Sequence, residues 1–375
     1  MNTKTTWCAL GATILLATAC TTAAPNPDPA PADTTTKDAD PATAPILDDA
    51  TRASIDAFFE AEVNDSMFVP IYIGERGVAV DGKDAVRFDP ETGRFADADR
   101  KGGPSSLYII ALKAPFEAAS EARPLSAEKR DLQPFLDANV YVEAWVPYQT
   151  FVELLYTAGQ TLGSTGPEGE GDRMVSVSLG GYGPRLKIVS RDAGAWRGYN
   201  ASLPALAVGP PDDEPLEEEP LELTIAIGAE GFRVMAAAAL VPPIAGCPAD
   251  GPTVCNEGGA DASELIARVA STKGAERDAA LAELVAVYDM HSLYNTALRI
   301  KGRYPDDTVV TVVADGDVPF ALVSAVVDAV RDRRDSGNAK GYFADDAAFE
   351  AAAPPVRSFS SSDGLFPDPV FGIAR

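Results

Sequence analysis

Apolar residues run through Ile71-Tyr72-Ile73, stop at Gly74-Glu75-Arg76-Gly77, and resume in Val78-Ala79-Val80, a pattern that predicts two short strands joined by a tight glycine turn. The pattern returns downstream as Ile225-Ala226-Ile227, Gly228-Ala229-Glu230-Gly231 and Phe232-Arg233-Val234, with glycine at the same two places. A second pair of segments behaves alike. Val140 to Tyr148 and Val312 to Phe320 are β-rich runs that each end in Val-Pro-aromatic. Proline is well placed at the first turn of a helix. The residues that follow carry Phe151, Leu154, Leu155 and Ala158 in one copy and Val323, Val326, Val327 and Val330 in the other. Spacings of three and four put each set on one helical face. The copies are offset by 154 positions at the first element and 172 at the second, so the second copy has gained 18 residues between them. The chain therefore reads as a tandem duplication.

The second copy extends the prediction. Ser263 is placed to cap a helix containing Leu265, Ile266 and Val269, and Glu276 to Lys301 continues as helix until Tyr304-Pro305-Asp306-Asp307 stops it. Thr308 to Ala314 is almost wholly apolar and β-branched, as a central strand is. A helix from Pro319 to about Arg334 should cover it, and a last strand is expected within 369–374. The expected class is α+β: two tandem copies of a small mixed sheet with helices packed on one face. The domains divide as a first copy over 51–208 and a second over 221–375, the second containing a cysteine loop and a helical insertion outside the common sheet. The two sheets are expected to meet edge to edge or to share strands. Between the copies, 209–220 holds four prolines and six acids and reads as a solvated linker.

The N-terminus bears on compartment. Lys4 precedes a stretch from Trp7 to Ala19 that is apolar or small throughout, which reads as a signal peptide over 1–20 and falls short of the ~20 residues needed to span a bilayer. The small residues before Cys20 resemble a bacterial lipobox, with Ala17 where leucine is usual. That resemblance implies acylation of Cys20, a lipid anchor, and, with Thr21 following the cysteine, delivery to the outer membrane facing the periplasm. Residues 21–50, mostly Ala, Pro, Thr and Asp, bury too little apolar surface to fold and are expected to be a disordered tether. With Cys8 leaving in the signal and Cys20 acylated, the remaining thiols, Cys247 and Cys255, are eight positions apart, which in an oxidising compartment predicts a disulfide closing a small loop. A redox or metal pair would need closer spacing or further ligands.

Composition narrows the function. A hydrophobic fraction of 46% excludes a wholly disordered chain, and a net charge of −25 opposes binding to the phosphate backbone of nucleic acid. His291 is the single histidine, so multi-histidine metal sites are impossible and any Ser-His or Cys-His catalysis would need that residue. Asp289, two positions from it within a helical pattern, should face elsewhere. Gly163-Ser164-Thr165-Gly166 and Gly180-Gly181-Tyr182-Gly183 lack phosphate-loop spacing and read as turns. Asp315-Gly316-Asp317 lacks the further acids of a calcium loop. Trp145, Trp196 and Tyr199 read as packing more readily than as a glycan- or peptide-binding surface. No catalytic, metal or cofactor residue is assigned.

Leu293-Tyr294, Lys301 through Ala314, Asp315, Val318-Pro319-Phe320 and the helix after them resemble the periplasmic domain of the ExbD/TolR biopolymer-transport family. Leu365-Phe366-Pro367-Asp368 and Val370-Phe371 look like its C-terminal strand region, and Val146 to Leu155 resembles its strand-to-helix junction. Members of that family couple proton flow to work on envelope partners through a transmembrane helix bearing one aspartate, and the apolar segment here contains no acid onto which that residue can be carried. The resemblance thus implies a non-catalytic binding protein that docks to a cell-envelope protein or to peptidoglycan, with Pro147, Tyr148, Asp315, Pro319 and Phe320 as candidate partner-binding residues. The alternatives are an inner-membrane accessory subunit of a proton-driven complex and an exported hydrolase built on two carboxylates.

Overall fold

The structure is a computed structural model that describes residues 44–62, 68–89, 92–123, 137–162, 186–192, 195–201, 221–236, 239–352 and 364–372. Pro45–Arg375 forms one compact unit. Its strands make two sheets. The first contains β1 (Phe68–Gly74), β2 (Gly77–Val80), β3 (Lys83–Arg87), β4 (Asp137–Glu143), β5 (Leu186–Asp192) and β6 (Ala195–Ala201), in the order β3-β2-β1-β4-β5-β6. The second contains β7 (Thr224–Gly228), β8 (Gly231–Ala236), β9 (Ala239–Leu240), β10 (Val254–Cys255), β11 (Val309–Ala314) and β12 (Asp368–Phe371), in the order β10-β8-β7-β11-β12 with β9 also on β8. Both are mixed, antiparallel at the hairpins and parallel across β1-β4-β5 and β7-β11-β12. The expected α+β class holds.

The duplication is visible in the pairing register. Ile71 pairs with Val80 and Ile73 with Val78; at an offset of 154, Ile225 pairs with Val234 and Ile227 with Phe232. Across the parallel neighbour Ile71 meets Val140 and Ile73 meets Val142, while Ile225 meets Val312 and Ile227 meets Ala314. A one-residue slip would turn each buried set to the other face, so shared register is a stringent match. The hairpin glycines have a shared cause too. Gly77 and Gly231 sit at φ 140° and 135°, and a Cβ on either would stand 2.0 Å from the Val86 carbonyl oxygen or 2.2 Å from that of Val254. Only glycine lets a third strand approach so closely.

That third strand corrects the expected insertion. Val78 pairs with Val86 and Phe232 with Val254, and Phe88 N donates to Arg76 O as Asn256 N donates to Glu230 O. β10 is therefore the counterpart of β3 at an offset of 168. Most of the extra length enters between the second and third strands, where the cysteine loop lies. Only four further positions are gained before β11. The helices α4 (Ser263–Ser271), α5 (Ala275–Val287) and α6 (Met290–Lys301) are thus length-matched in the first half by a stretch that includes α2 (Lys113–Glu121) and two short 3-10 turns, and they are not an insertion.

Two further expectations change. The long helix expected from Glu276 to Lys301 breaks at Tyr288-Asp289, where Asp289 caps α6 by accepting from Ser292 N at 2.7 Å. The expected tether to residue 50 ends sooner, because Ile46 and Leu47 are buried and α1 (Asp49–Glu62) begins directly after them. Ile46, Leu47 and Ile55 pack with Tyr72, Ala79 and Tyr141 on one face of the first sheet. The alternate residues Ile71, Ile73, Val78, Val80, Val140 and Val142 face the main core, toward α2 and α3 (Tyr148–Leu162). The first sheet is therefore covered on both faces, against the expectation of one. In the second half α7 (Phe320–Arg331) is buried along most of its length among α5, α6, α3 and strands of both sheets. β12 lies beside β6, with Cα atoms within 8 Å, so the sheets approach each other at those edges.

The inter-repeat junction as candidate functional site

The two Val-Pro-aromatic segments meet each other. Pro147 and Pro319, equivalent positions of the two halves, form an antiparallel bridge. Around it Tyr148 N donates to Val318 O at 2.8 Å and Phe320 N to Val146 O at 2.8 Å. One step further out, Gln149 N donates to Gly316 O at 3.0 Å and Ala321 N to Ala144 O at 2.6 Å. Under the offset of 172 each bond maps onto the other member of its pair with the halves exchanged. That reciprocity is the signature of a twofold, isologous contact, here made inside one chain.

Proline explains part of this local structure. It has no N–H to offer a ladder, so each Val-Pro step leaves the strand and starts a helix. The first free amide of that helix, on Tyr148 or Phe320, finds its acceptor in the opposite half. Below the bridge, Phe151 packs against Phe320 with ring centroids 4.5 Å apart and the planes tilted by 49°, and meets Phe371 edge-on at 5.1 Å. The Tyr148 hydroxyl reaches two main-chain carbonyls of the second sheet, Val312 O at 2.8 Å and Gly372 O at 2.6 Å. Burial pushes its ionisation well above the usual phenol range, so it remains a donor throughout the ordinary pH range.

Of the five candidate partner-binding residues, Tyr148, Pro319 and Phe320 are buried in this junction and Pro147 is half-buried there. They bind the other half of their own chain. Asp315 is exposed at the end of β11. Its neighbour Asp317 pairs with Arg94 of the first half. A second cross-contact lies alongside: the Arg277 guanidinium stands 4.4 Å over the Trp145 ring and, with Lys273, approaches Glu75 at 3.4 and 3.3 Å. Trp145 is thus a packing residue. The side chains of Trp196 and Tyr199, the glycine-rich runs 163–166 and 180–183, and Cys20 lie outside the described residues.

Cys247 and Cys255 form the expected disulfide, with Cα atoms 5.6 Å apart. His291 is not alone. Its Nδ1 stands 2.9 Å from Asp346 Oδ1 and 3.8 Å from Asp289 Oδ1, and its Nε2 lies 3.1 Å from the Phe343 carbonyl oxygen. Asp289, which would face elsewhere on a continuous helix, is a cap residue with non-helical torsions and turns back toward the imidazole. Asp346, at the start of α8 (Asp346–Ala351), carried no sequence signal that would place it there. Among the described residues this trio is the group of side chains with the donor types and spacing to hold a metal ion.

The fold and junction define an internally duplicated α+β protein whose halves pair through a pseudo-twofold contact. No family model matches the chain, and no curated protein matches it. No described helix is long and apolar enough to cross a membrane.

Proposed function

We propose that the protein is a non-catalytic envelope lipoprotein with ExbD/TolR-like periplasmic repeats. On this reading it is anchored through acylated Cys20, faces the periplasm from the outer membrane, and docks to a cell-envelope protein or to peptidoglycan. The observation that carries it is the shared register of the two halves, each a hairpin, a parallel strand, a Pro-initiated helix and a further parallel strand. A duplicated sheet module with an interlocked centre is a rigid platform whose outer surfaces are left for binding. The net charge of −25 favours basic or neutral surfaces over nucleic acid. Such a protein would serve as an accessory to biopolymer transport without carrying the proton-conducting aspartate.

The test uses the full chain expressed with its signal. Co-sedimentation with purified peptidoglycan and crosslinking in intact cells should recover wall or a defined envelope protein. Labelled palmitate should enter the wild type and not Cys20→Ser. Capture of neither wall nor protein would defeat the docking reading, and an unlabelled wild type with its signal retained would favour the inner-membrane accessory alternative.

A further inference from the structure

The group around His291 is independent of the docking proposal and has a logic of its own. A carbonyl oxygen can only accept, so the imidazole nitrogen facing Phe343 O must carry a proton: Nε2 donates at 3.1 Å. That carbonyl is itself fixed, because Asn295 Nδ2 donates to it at 3.0 Å while Asn295 Oδ1 accepts from Phe343 N at 3.1 Å. The ring also packs near Phe349, with centroids 6.3 Å apart. These contacts come from outside the acidic residues and aim Nδ1 at the carboxylates of Asp289 and Asp346. Nδ1 thus faces two carboxylate oxygens, 2.9 Å from Asp346 Oδ1 and 3.8 Å from Asp289 Oδ1.

The surroundings are acidic beyond the two aspartates, because Glu257 stands beside Asp346 and within electrostatic reach of Asp289 and Glu350. Among the described residues no lysine or arginine forms an ion pair with any of the four. One imidazole nitrogen and two carboxylates converging in this way are a donor set for a divalent ion. The distances suit it: donors about 2.0–2.2 Å from a tetrahedral zinc ion stand about 3.3 Å apart, and the donor atoms of the trio all lie within 4.8 Å of one another. A backbone carbonyl holding the far nitrogen is the arrangement that sets the tautomer of a metal-ligating histidine.

We infer that Asp289, His291 and Asp346 form a site for one divalent transition-metal ion of the zinc type, with Asn295 and the Phe343 carbonyl orienting the imidazole. The ion would tie α8 to the start of α6. Mixed imidazole and carboxylate donors favour zinc over magnesium, and the ion would have a structural role or remain open to exchange at its solvent side.

The experiment titrates zinc chloride into the chelator-stripped full-length protein by calorimetry and follows thermal unfolding with zinc or magnesium chloride present. The expected result is one saturable equivalent of zinc and a rise in Tm that magnesium does not reproduce. Asp346→Asn, at a half-exposed position that leaves the core untouched, and His291→Ala should each weaken zinc binding at least 10-fold. Asn295→Ala should weaken it by about 10-fold or more through loss of orientation. A net charge of −25 attracts divalent ions diffusely. Zinc binding that is unsaturable, or equal in wild type and both ligand variants, therefore overturns the inference, as does equal stabilisation by magnesium. Circular dichroism of each variant separates lost binding from lost fold; should His291→Ala misfold, Asp346→Asn decides alone.

Discussion

Replacing Tyr148 tests whether the two halves are one cooperative structure. The side chain is 2% exposed and rises from the first turn of α3 in the first half into the sheet of the second. Its hydroxyl serves Val312 O and Gly372 O, and Val312 O has a second donor in Gly372 N at 2.9 Å. Tyr148→Phe therefore deprives chiefly the Gly372 carbonyl, in a buried setting, of its partner. Losing the bond costs about 0.5–1.5 kcal/mol net, and leaving a buried acceptor unsatisfied raises that toward about 1–3 kcal/mol. Tyr148→Ala adds a cavity beneath the bridge and should cost about 3–5 kcal/mol, in the range of buried aromatic truncations. The assay is equilibrium unfolding in urea followed by circular dichroism and tryptophan fluorescence. The expected outcome is a lower midpoint at unchanged m for Tyr148→Phe, with both probes moving together because both sheets lose the same contact. The sign with pH follows from the raised phenol ionisation: the contribution is fully present below the unfolded value near 10 and is lost only as pH climbs above it. The difference between wild type and Tyr148→Phe should thus be constant from pH 5 to 9. A loss under about 0.5 kcal/mol, or two separate transitions, would refute the claim that the junction couples the halves.

Three further outcomes are expected. Gly77→Ala and Gly231→Ala should each lower stability by more than about 1 kcal/mol, since both place a Cβ against a carbonyl oxygen at positive φ; similar losses in thermal melts would support their equivalence, and a neutral Gly231→Ala would deny it. Reducing the Cys247–Cys255 bridge should cost about 2–3 kcal/mol in the chain-entropy account of a short loop, read as a lower urea midpoint, and free thiols in periplasmically expressed protein would contradict it. Asp81 is held below the usual carboxylate range by its hydrogen bond to Arg123, so its contribution is present above the unfolded value near 3.8 and is lost as pH falls through the folded one. Asp81→Asn should therefore cost under about 1 kcal/mol at pH 7 and progressively less as pH falls below 3.8, measured by urea unfolding across that range.

What was legible in the sequence is what local chemistry dictates. The hairpin glycines, the Val-Pro-aromatic steps and the apolar faces of α3 and α7 have short-range causes, so spacing alone located both copies. α1 is not legible because Ile46, Leu47 and Ile55 are spread through a polar, Ala-rich stretch that resembles the tether before it. The match of α4 to α6 is hidden because the corresponding stretch of the first half has little regular periodicity, and only β10, two residues long, fixes the alignment. Asp346 came to His291 through tertiary contact across 55 positions, and no periodicity reports that.

Pro147, Tyr148, Pro319 and Phe320 stand out in the sequence because they recur, and recurrence ordinarily suggests a surface used twice. In the structure they recur because each is half of one contact: a proline ends the strand, the next amide needs an acceptor, and the equivalent carbonyl of the other copy supplies it. Such an isologous contact arises most simply between two identical chains, and joining them through a linker lets the halves diverge while the contact is kept. Divergence is already visible at its centre, where Tyr148 reaches two carbonyls and its counterpart Phe320 has no hydroxyl with which to do so. It is visible at the periphery as well, where one half has gained a cysteine loop and holds the single histidine of the sequence, and where, among the described residues, a helix over the outer sheet face is seen in the other half. Function that distinguishes the halves is therefore to be sought in those unshared features, with the shared junction holding them at a fixed distance from each other.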